Sequence, residues 1–222
     1  MPDSEERFDV LDALGAPTGA TAARSEVHRL GLFHRAVHVW LLAPATREVL
    51  LQRRAAHKDS YPGLWDVSSA GHVSAGGSPL PAARRELEEE LGLAAPAARL
   101  EPLFEHLERA ATQQRGRAFL NNEFQMLYCL RVAPEERAAL DPAAAVLRDV
   151  EGGLDGGDDA GGAGAPFTGF ALQRSEVEAV KWVTIDALEQ MYRGGDASVV
   201  AWDTGADLDR LLAALRERCG AS

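Results

Sequence analysis

The sequence predicts an α/β fold: a sandwich of helices on a mixed sheet. Three observations carry that reading. Apolar and β-branched runs recur in short segments, at Arg35–Leu42, Arg47–Arg54, Asn121–Val132 and Glu176–Ile185. Longer amphipathic segments stand between and after them, which is the pattern of strands alternating with helices. The chain has 222 residues and is 46% apolar, enough for one sizeable core. We therefore expect a single domain over residues 1–222.

Taken in order, "RAVHVWLL" (Arg35–Leu42) and "REVLLQRR" (Arg47–Arg54) are strands joined by a short turn near Pro44. "SYPGLWDVSSAGH" (Ser60–His72) is a loop entering a short strand, with Pro62 and Gly63 in a turn and Trp65 expected to plug the core. A helix follows, with Ser78 at the N-cap, Pro79 at the first helical position and Gly92 just past the end. Ala83, Leu87 and Leu91 make its buried stripe, while Glu86, Glu89 and Glu90 share another face. Asn121–Val132 and Glu176–Ile185 are further strands; a helix begins near Asp186, and "DLDRLLAALRERC" closes the chain as an amphipathic helix. "DVEGGLDGGDDAGGAGAP" (149–166) is nearly all Gly, Asp and Ala, cannot bury a core, and reads as a flexible insertion.

Composition narrows the function. With 34 acidic against 23 basic residues the formal charge is −11, which argues against nucleic acid as a partner but not against a small phosphorylated molecule. No apolar run is long enough for a membrane span, and the acidic start resembles no signal or transit peptide, so a cytoplasmic location is expected. Cys129 and Cys219 read as free thiols.

The three clustered glutamates pose the chemical question. Like charges one turn apart cost a helix roughly 0.2–0.5 kcal/mol per pair. A hard divalent cation such as Mg²⁺ or Mn²⁺ turns that repulsion into affinity, bridges a diphosphate and activates water. The flanks extend the pattern. From Gly71 the chain fits G-x5-E-x7-R-E-U-x-E-E-x-G-U, with U apolar, at Gly71, Arg85, Glu86, Leu87, Glu89, Glu90, Gly92 and Leu93; Gly77 replaces the first glutamate. This resembles a Nudix box, the signature of hydrolases of nucleoside diphosphates linked to another moiety. The resemblance implies a Nudix-type α/β/α sandwich and a Mg²⁺ or Mn²⁺ cofactor. It implies metal ligation by Glu86, Glu89 and Glu90, positioning of a glutamate by Arg85, and an added ligand from the Ala70 carbonyl. It also makes a homodimer an open expectation, since dimers are common in the family.

Outside the box, "LLQRRAAHKDSYPGLWDVSSAGH" and "LNNEF" look like isopentenyl-diphosphate isomerase. They look still more like the Nudix domain that plants fuse to a metallopeptidase of the dipeptidyl-peptidase III type. The isomerase resemblance implies a second metal site from His28, His34, His72 and Glu123, with Asn121 where a further glutamate would stand. It also implies diphosphate contacts from Arg54 and Lys58. Glu123 is the expected acidic residue outside the box, as ligand or base. The isomerase needs a cysteine where this chain has Ala70, and a methyl group transfers no proton. The expected function is therefore metal-dependent hydrolysis of a P–O–P bond in a nucleoside diphosphate derivative or a short prenyl diphosphate. Isomerisation and a non-catalytic diphosphate-binding module are the alternatives. Tyr61 and Trp65 are candidates to stack on the substrate, and His38, His57 and His106 are expected to be structural or surface residues.

Overall fold

The computed structural model describes residues 5–58, 60–114, 117–149, 165–202 and 205–220. Most of the expected 149–166 insertion lies outside the described residues. The chain opens with an antiparallel pair, β1 (Arg7–Leu11) and β2 (Pro17–Ala23), followed by the short helix α1 (Arg24–Leu30). Then come β3 (Phe33–Ala43), β4 (Glu48–Arg54), β5 (Trp65–Asp66), β6 (Ser69–His72) and helix α2 (Pro79–Leu91). A long hairpin, β7 (Leu100–Gln114) and β8 (Arg117–Arg131), leads to α3 (Pro134–Ala139). The chain ends with β9 (Val146–Arg148), β10 (Ala171–Gln173), β11 (Val177–Thr184), α4 (Ile185–Arg193) and α5 (Ala206–Gly220).

β3 organises the sheet. It runs parallel to β8 from Phe33–Asn122 to Leu42–Arg131 and antiparallel to β6 from Ala36–His72 to Val39–Ser69. With β4 it pairs only at Leu42–Val49 and Ala43–Glu48. β3 and β4 then part, and β5 and β6 line the gap, β5 on β4 and β6 on β3. The sheet is mixed, as the sequence predicts.

Alternation along β3 divides the core. Val37, Val39, Leu41 and Ala43 join Leu50 and Leu130 under Ala83, Leu87 and Leu91 of α2. Trp40 and Leu42 face the other way and join Leu188 of α4 and Leu208, Leu211, Leu212 and Leu215 of α5. Helices thus cover both faces, giving the expected α/β/α sandwich. Trp65 is partly buried at the margin of the second cluster and does not plug the core; Lys181 Nζ lies 4.1 Å from its ring centre. Arg47 sits in a left-handed turn at φ 56°, so β4 begins one residue later than expected.

α2 is held chiefly at its C-terminal end. Ser78 occupies the N-cap in extended geometry, but its side chain accepts no cap hydrogen bond. Gly92 adopts φ +73°, and its N–H donates to the Glu88 carbonyl. A Cβ at Gly92 would lie 2.7 Å from the Ala171 Cβ, so both conformation and packing require glycine there. Arg148 of β9 donates to the Glu88 and Glu89 carbonyls, a cation placed on the negative end of the helix.

Candidate active site

The expected carboxylates converge on one cavity of about 730 Å³, lined from β3, β4, β6, α2, β7 and β8. Glu86 lies against the backbone of β6. A Cβ built on Gly71 would fall 2.0 Å from Glu86 Cδ and 2.1 Å from Oε1, so glycine at 71 makes room for this carboxylate. Arg85 spans two glutamates, donating to Glu86 Oε1 at 2.7 Å and Glu89 Oε2 at 3.0 Å, and also to the His72 carbonyl at 3.1 Å. Glu90 is 5% exposed, and its Oε2 accepts from Gln52 Nε2 at 3.3 Å and Ala70 N–H at 3.1 Å. The i, i+4 spacing of Glu86 and Glu90 stacks them on the inward side of α2.

Burial dominates their ionisation. It pushes Glu90 up to about 7, with the Glu176 charge adding to the rise. Glu86 is raised by burial and then by the charge of Glu90, against the pull of Arg85. Two buried carboxylates that resist ionising together fit a cation: they are hard oxygen donors whose mutual repulsion a divalent ion removes.

A second donor cluster lies beside the first. His28, His34 and His72 each offer a ring nitrogen, all within 4.8 Å of one another. Glu123 is buried inside β8, not at the strand's start as its sequence position suggests. Its Oε1 lies 3.1 Å from His72 Nε2 and 3.4 Å from His34 Nε2, and its Oε2 accepts from Gln125 Nε2 at 2.9 Å. His34 Nδ1 is 3.0 Å from the Leu32 carbonyl, to which it donates, and this turns Nε2 toward the carboxylate. Both ring nitrogens of His28 are buried without a partner. Burial lowers His28 to about 3, helped by His72 and His34, so it stays neutral. Burial would raise Glu123, but hydrogen bonds and charge from His34 and His72 outweigh it and hold Glu123 well below the carboxylate range. Clustered imidazole nitrogens, the two unpartnered ones of His28 among them, and an ionised carboxylate suit a cation.

Arg54 and Lys58 also line the cavity, each already paired. Arg54 donates to Asp66 at 3.1 Å and to the Ser60 carbonyl and hydroxyl at 2.9 Å, and Lys58 pairs with Glu176. Tyr61 lines the cavity, Trp65 does not, and His57 is exposed.

The structure adds residues that sequence reasoning passed over. Glu108 of β7 stands opposite Glu123 across the hairpin and accepts from Asn121 Nδ2 at 2.9 Å and Gln125 Nε2 at 2.8 Å. Burial, then the Glu123 charge, lifts it to about 7. A carboxylate therefore does stand beside Asn121, supplied by the neighbouring strand. His38 and His106, expected to be structural or surface residues, line the cavity as well.

Comparison with known proteins bears on the family. A NUDIX-domain family model matches residues 32–151. Nudix hydrolase 3 of Arabidopsis thaliana is 38% identical over 216 residues, which is 97% of this chain and 24% of that protein. An isopentenyl-diphosphate Delta-isomerase of Serratia proteamaculans is 38% identical over 91 residues, 41% of this chain and 50% of the isomerase. The chain thus spans about a quarter of one relative and half of the other. The crystal structure of DR0079 from Deinococcus radiodurans superposes with a TM-score of 0.57 at 18% identity, covering 97% of this chain and 100% of that one, a likeness of fold. Because the family match spans more than half of the chain, and the box carboxylates meet on one cavity, the chain belongs to the Nudix hydrolase family, whose members are generally metal-dependent pyrophosphohydrolases.

Proposed function

We propose that this chain hydrolyses a P–O–P bond in a nucleoside diphosphate derivative or a short prenyl diphosphate, with Mg²⁺ or Mn²⁺. The observation that carries this is an excess of carboxylates. Eight carboxyl side chains line the cavity against five Lys or Arg, so a diphosphate anion enters only with added cations. A divalent cation bound here supplies that charge and lowers the pKa of a coordinated water.

The chain's own residues then have separable tasks. Glu86, Glu89 and Glu90, with the Ala70 carbonyl, hold the cation at the box. Arg85 keeps Glu86 and Glu89 in place, as its two hydrogen bonds describe. His28, His34, His72 and Glu123 are the donors for a second cation, and Glu108 adds negative charge beside them. Both Glu123 oxygens are engaged, which suits a ligand better than a free base. Arg54 and Lys58 steady the phosphates once their pairing with Asp66 and Glu176 is shared with the substrate. A water oxygen forms a bond to one phosphorus, the bond from that phosphorus to the bridging oxygen breaks, and the bridging oxygen leaves on the other phosphate, so the two phosphates of the anhydride part into separate products. A carboxylate of the box accepts the water's proton.

Isopentenyl-diphosphate isomerisation is the second reading, favoured by the histidine cluster and opposed by Ala70. Product analysis with ADP-ribose, NADH, coenzyme A, dinucleoside polyphosphates, and isopentenyl and geranyl diphosphates, beside Glu90→Gln, tests both. Turnover lost in the variant supports hydrolysis. Conversion of isopentenyl to dimethylallyl diphosphate, with no hydrolysis of any compound, overturns it.

A further inference from the structure

Past the carboxylates the cavity runs into a wall of rings. His106 and Glu108 are two residues apart on β7 and face the same side. His106 is 6% exposed, and its Nδ1 lies 2.7 Å from Asp207 Oδ2 of α5. Its ring stacks on Trp202, with centres 5.0 Å apart and planes at 23°. Trp202 also meets His38 at 5.9 Å and Tyr192 at 6.3 Å. His38, His106, Tyr192 and Trp202 all line the cavity, and His38 stands opposite Ala70 across the β3–β6 pair. His38 Nδ1 and Trp202 Nε1 are buried without hydrogen-bond partners.

None of these groups serves the diphosphate chemistry. A substituent reaching this wall meets stacked rings, with the unpartnered His38 Nδ1 and Trp202 Nε1 among them. Contacts between π-systems add about 0.5–1.5 kcal/mol beyond the area they bury, whereas a saturated chain gains the area alone. The arrangement is also fixed in advance. Asp207 accepts from His106 Nδ1, sets the plane of the imidazole and leaves Nε2 as its other polar atom.

We propose that the Asp207–His106–Trp202 stack selects the substituent beyond the diphosphate, an uncharged π-bearing group that is either a heterocyclic base or an allylic chain. Asp207 acts as a positioning residue through His106. The inference rests on the diphosphate reading above.

The test is equilibrium binding in Mg²⁺, which needs no turnover. The probes are methylenediphosphonate, α,β-methylene-ADP, geranyl methylenediphosphonate and the fully hydrogenated counterpart of the geranyl probe. At least one π-bearing probe should bind about fivefold more tightly than the hydrogenated one, a gap within the range of ring contacts. Asp207→Asn and His106→Gln should each shrink that gap to about twofold or less. Asp207 has a side chain 35% exposed, so its exchange spares the core if the buried His106 variant does not fold. Whichever π-bearing probe keeps the advantage names the source. Equal binding of the hydrogenated probe, or a gap that survives in Asp207→Asn, overturns the proposal while bare methylenediphosphonate still binds. Failure of every probe, methylenediphosphonate included, overturns the diphosphate reading and this one with it.

Discussion

Replacing Glu90 with Gln should stabilise the metal-free protein while destroying its function. In the folded chain Glu90 is raised from 4.5 to about 7. A raised carboxylate favours folding below its unfolded pKa, and that contribution is lost as pH climbs through the folded value. Metal-free protein should therefore weaken between about pH 4.5 and 7 and change little from this group above that. At about 1.36 kcal/mol per unit, the full loss is about 3 kcal/mol near pH 8. Glutamine removes the charge but disturbs the bonds from Gln52 and Ala70, which costs back about 1 kcal/mol. The net gain of about 2 kcal/mol is a rise of about 4–8 °C in Tm for a chain of this size. Thermal melts in EDTA, near pH 5 and near pH 8, read it directly. Wild type should recover the lost stability when Mg²⁺ or Mn²⁺ is added, and Glu90→Gln should not. A variant less stable than wild type near pH 8 in EDTA, or one that Mg²⁺ stabilises as strongly as wild type, would refute the buried-carboxylate argument.

Three further outcomes follow from the same geometry. Gly71→Ala puts a Cβ within 2.0 Å of Glu86 Cδ, so it should cut turnover at least about 100-fold while circular dichroism stays native; near-normal turnover would show that Glu86 works from another position. Gly92→Ala forces a side chain into φ +73° and against Ala171, and should cost about 1–3 kcal/mol in urea unfolding, since the last turn of α2 carries Glu89 and Glu90. Arg54→Lys keeps the charge but loses the fork that grips Ser60 and Asp66, so steady-state kinetics should show KM rising about tenfold or more with kcat less affected; an unchanged KM removes Arg54 from substrate contact.

How much of this was legible in the sequence depended on distance along the chain. Glu86, Glu89, Glu90, Arg85 and Gly71 lie within one short stretch, where helical periodicity and fixed spacing state their relation outright. Helix α2 and the central strands were readable for the same reason, since Val37, Val39 and Leu41 alternate and Ala83, Leu87 and Leu91 recur by the turn, whereas the short α1 and α3 were not read. The groups that finish the site are joined across long separations. Asp207 meets His106 from 101 residues away, and Arg148 caps α2 from 59 and 60 residues away. No local pattern encodes such pairs.

β7 shows why the missing carboxylate was also missed. Its run "FEHLERAATQQ" is rich in Glu, Leu, Ala and Gln, residues that lean toward helix, and only pairing with β8 makes it a strand. Between Pro102 and Glu105 the register shifts, after which Glu108 stands opposite Glu123 and His106 opposite Gln125. A slip of one residue would turn Glu108 and His106 to the other face of the sheet. The box is a property of spacing, but the carboxylate beside Asn121 and the ring wall beyond it are properties of that register. The specificity proposed for this chain therefore depends on how the β7–β8 hairpin is paired, which a motif reads past.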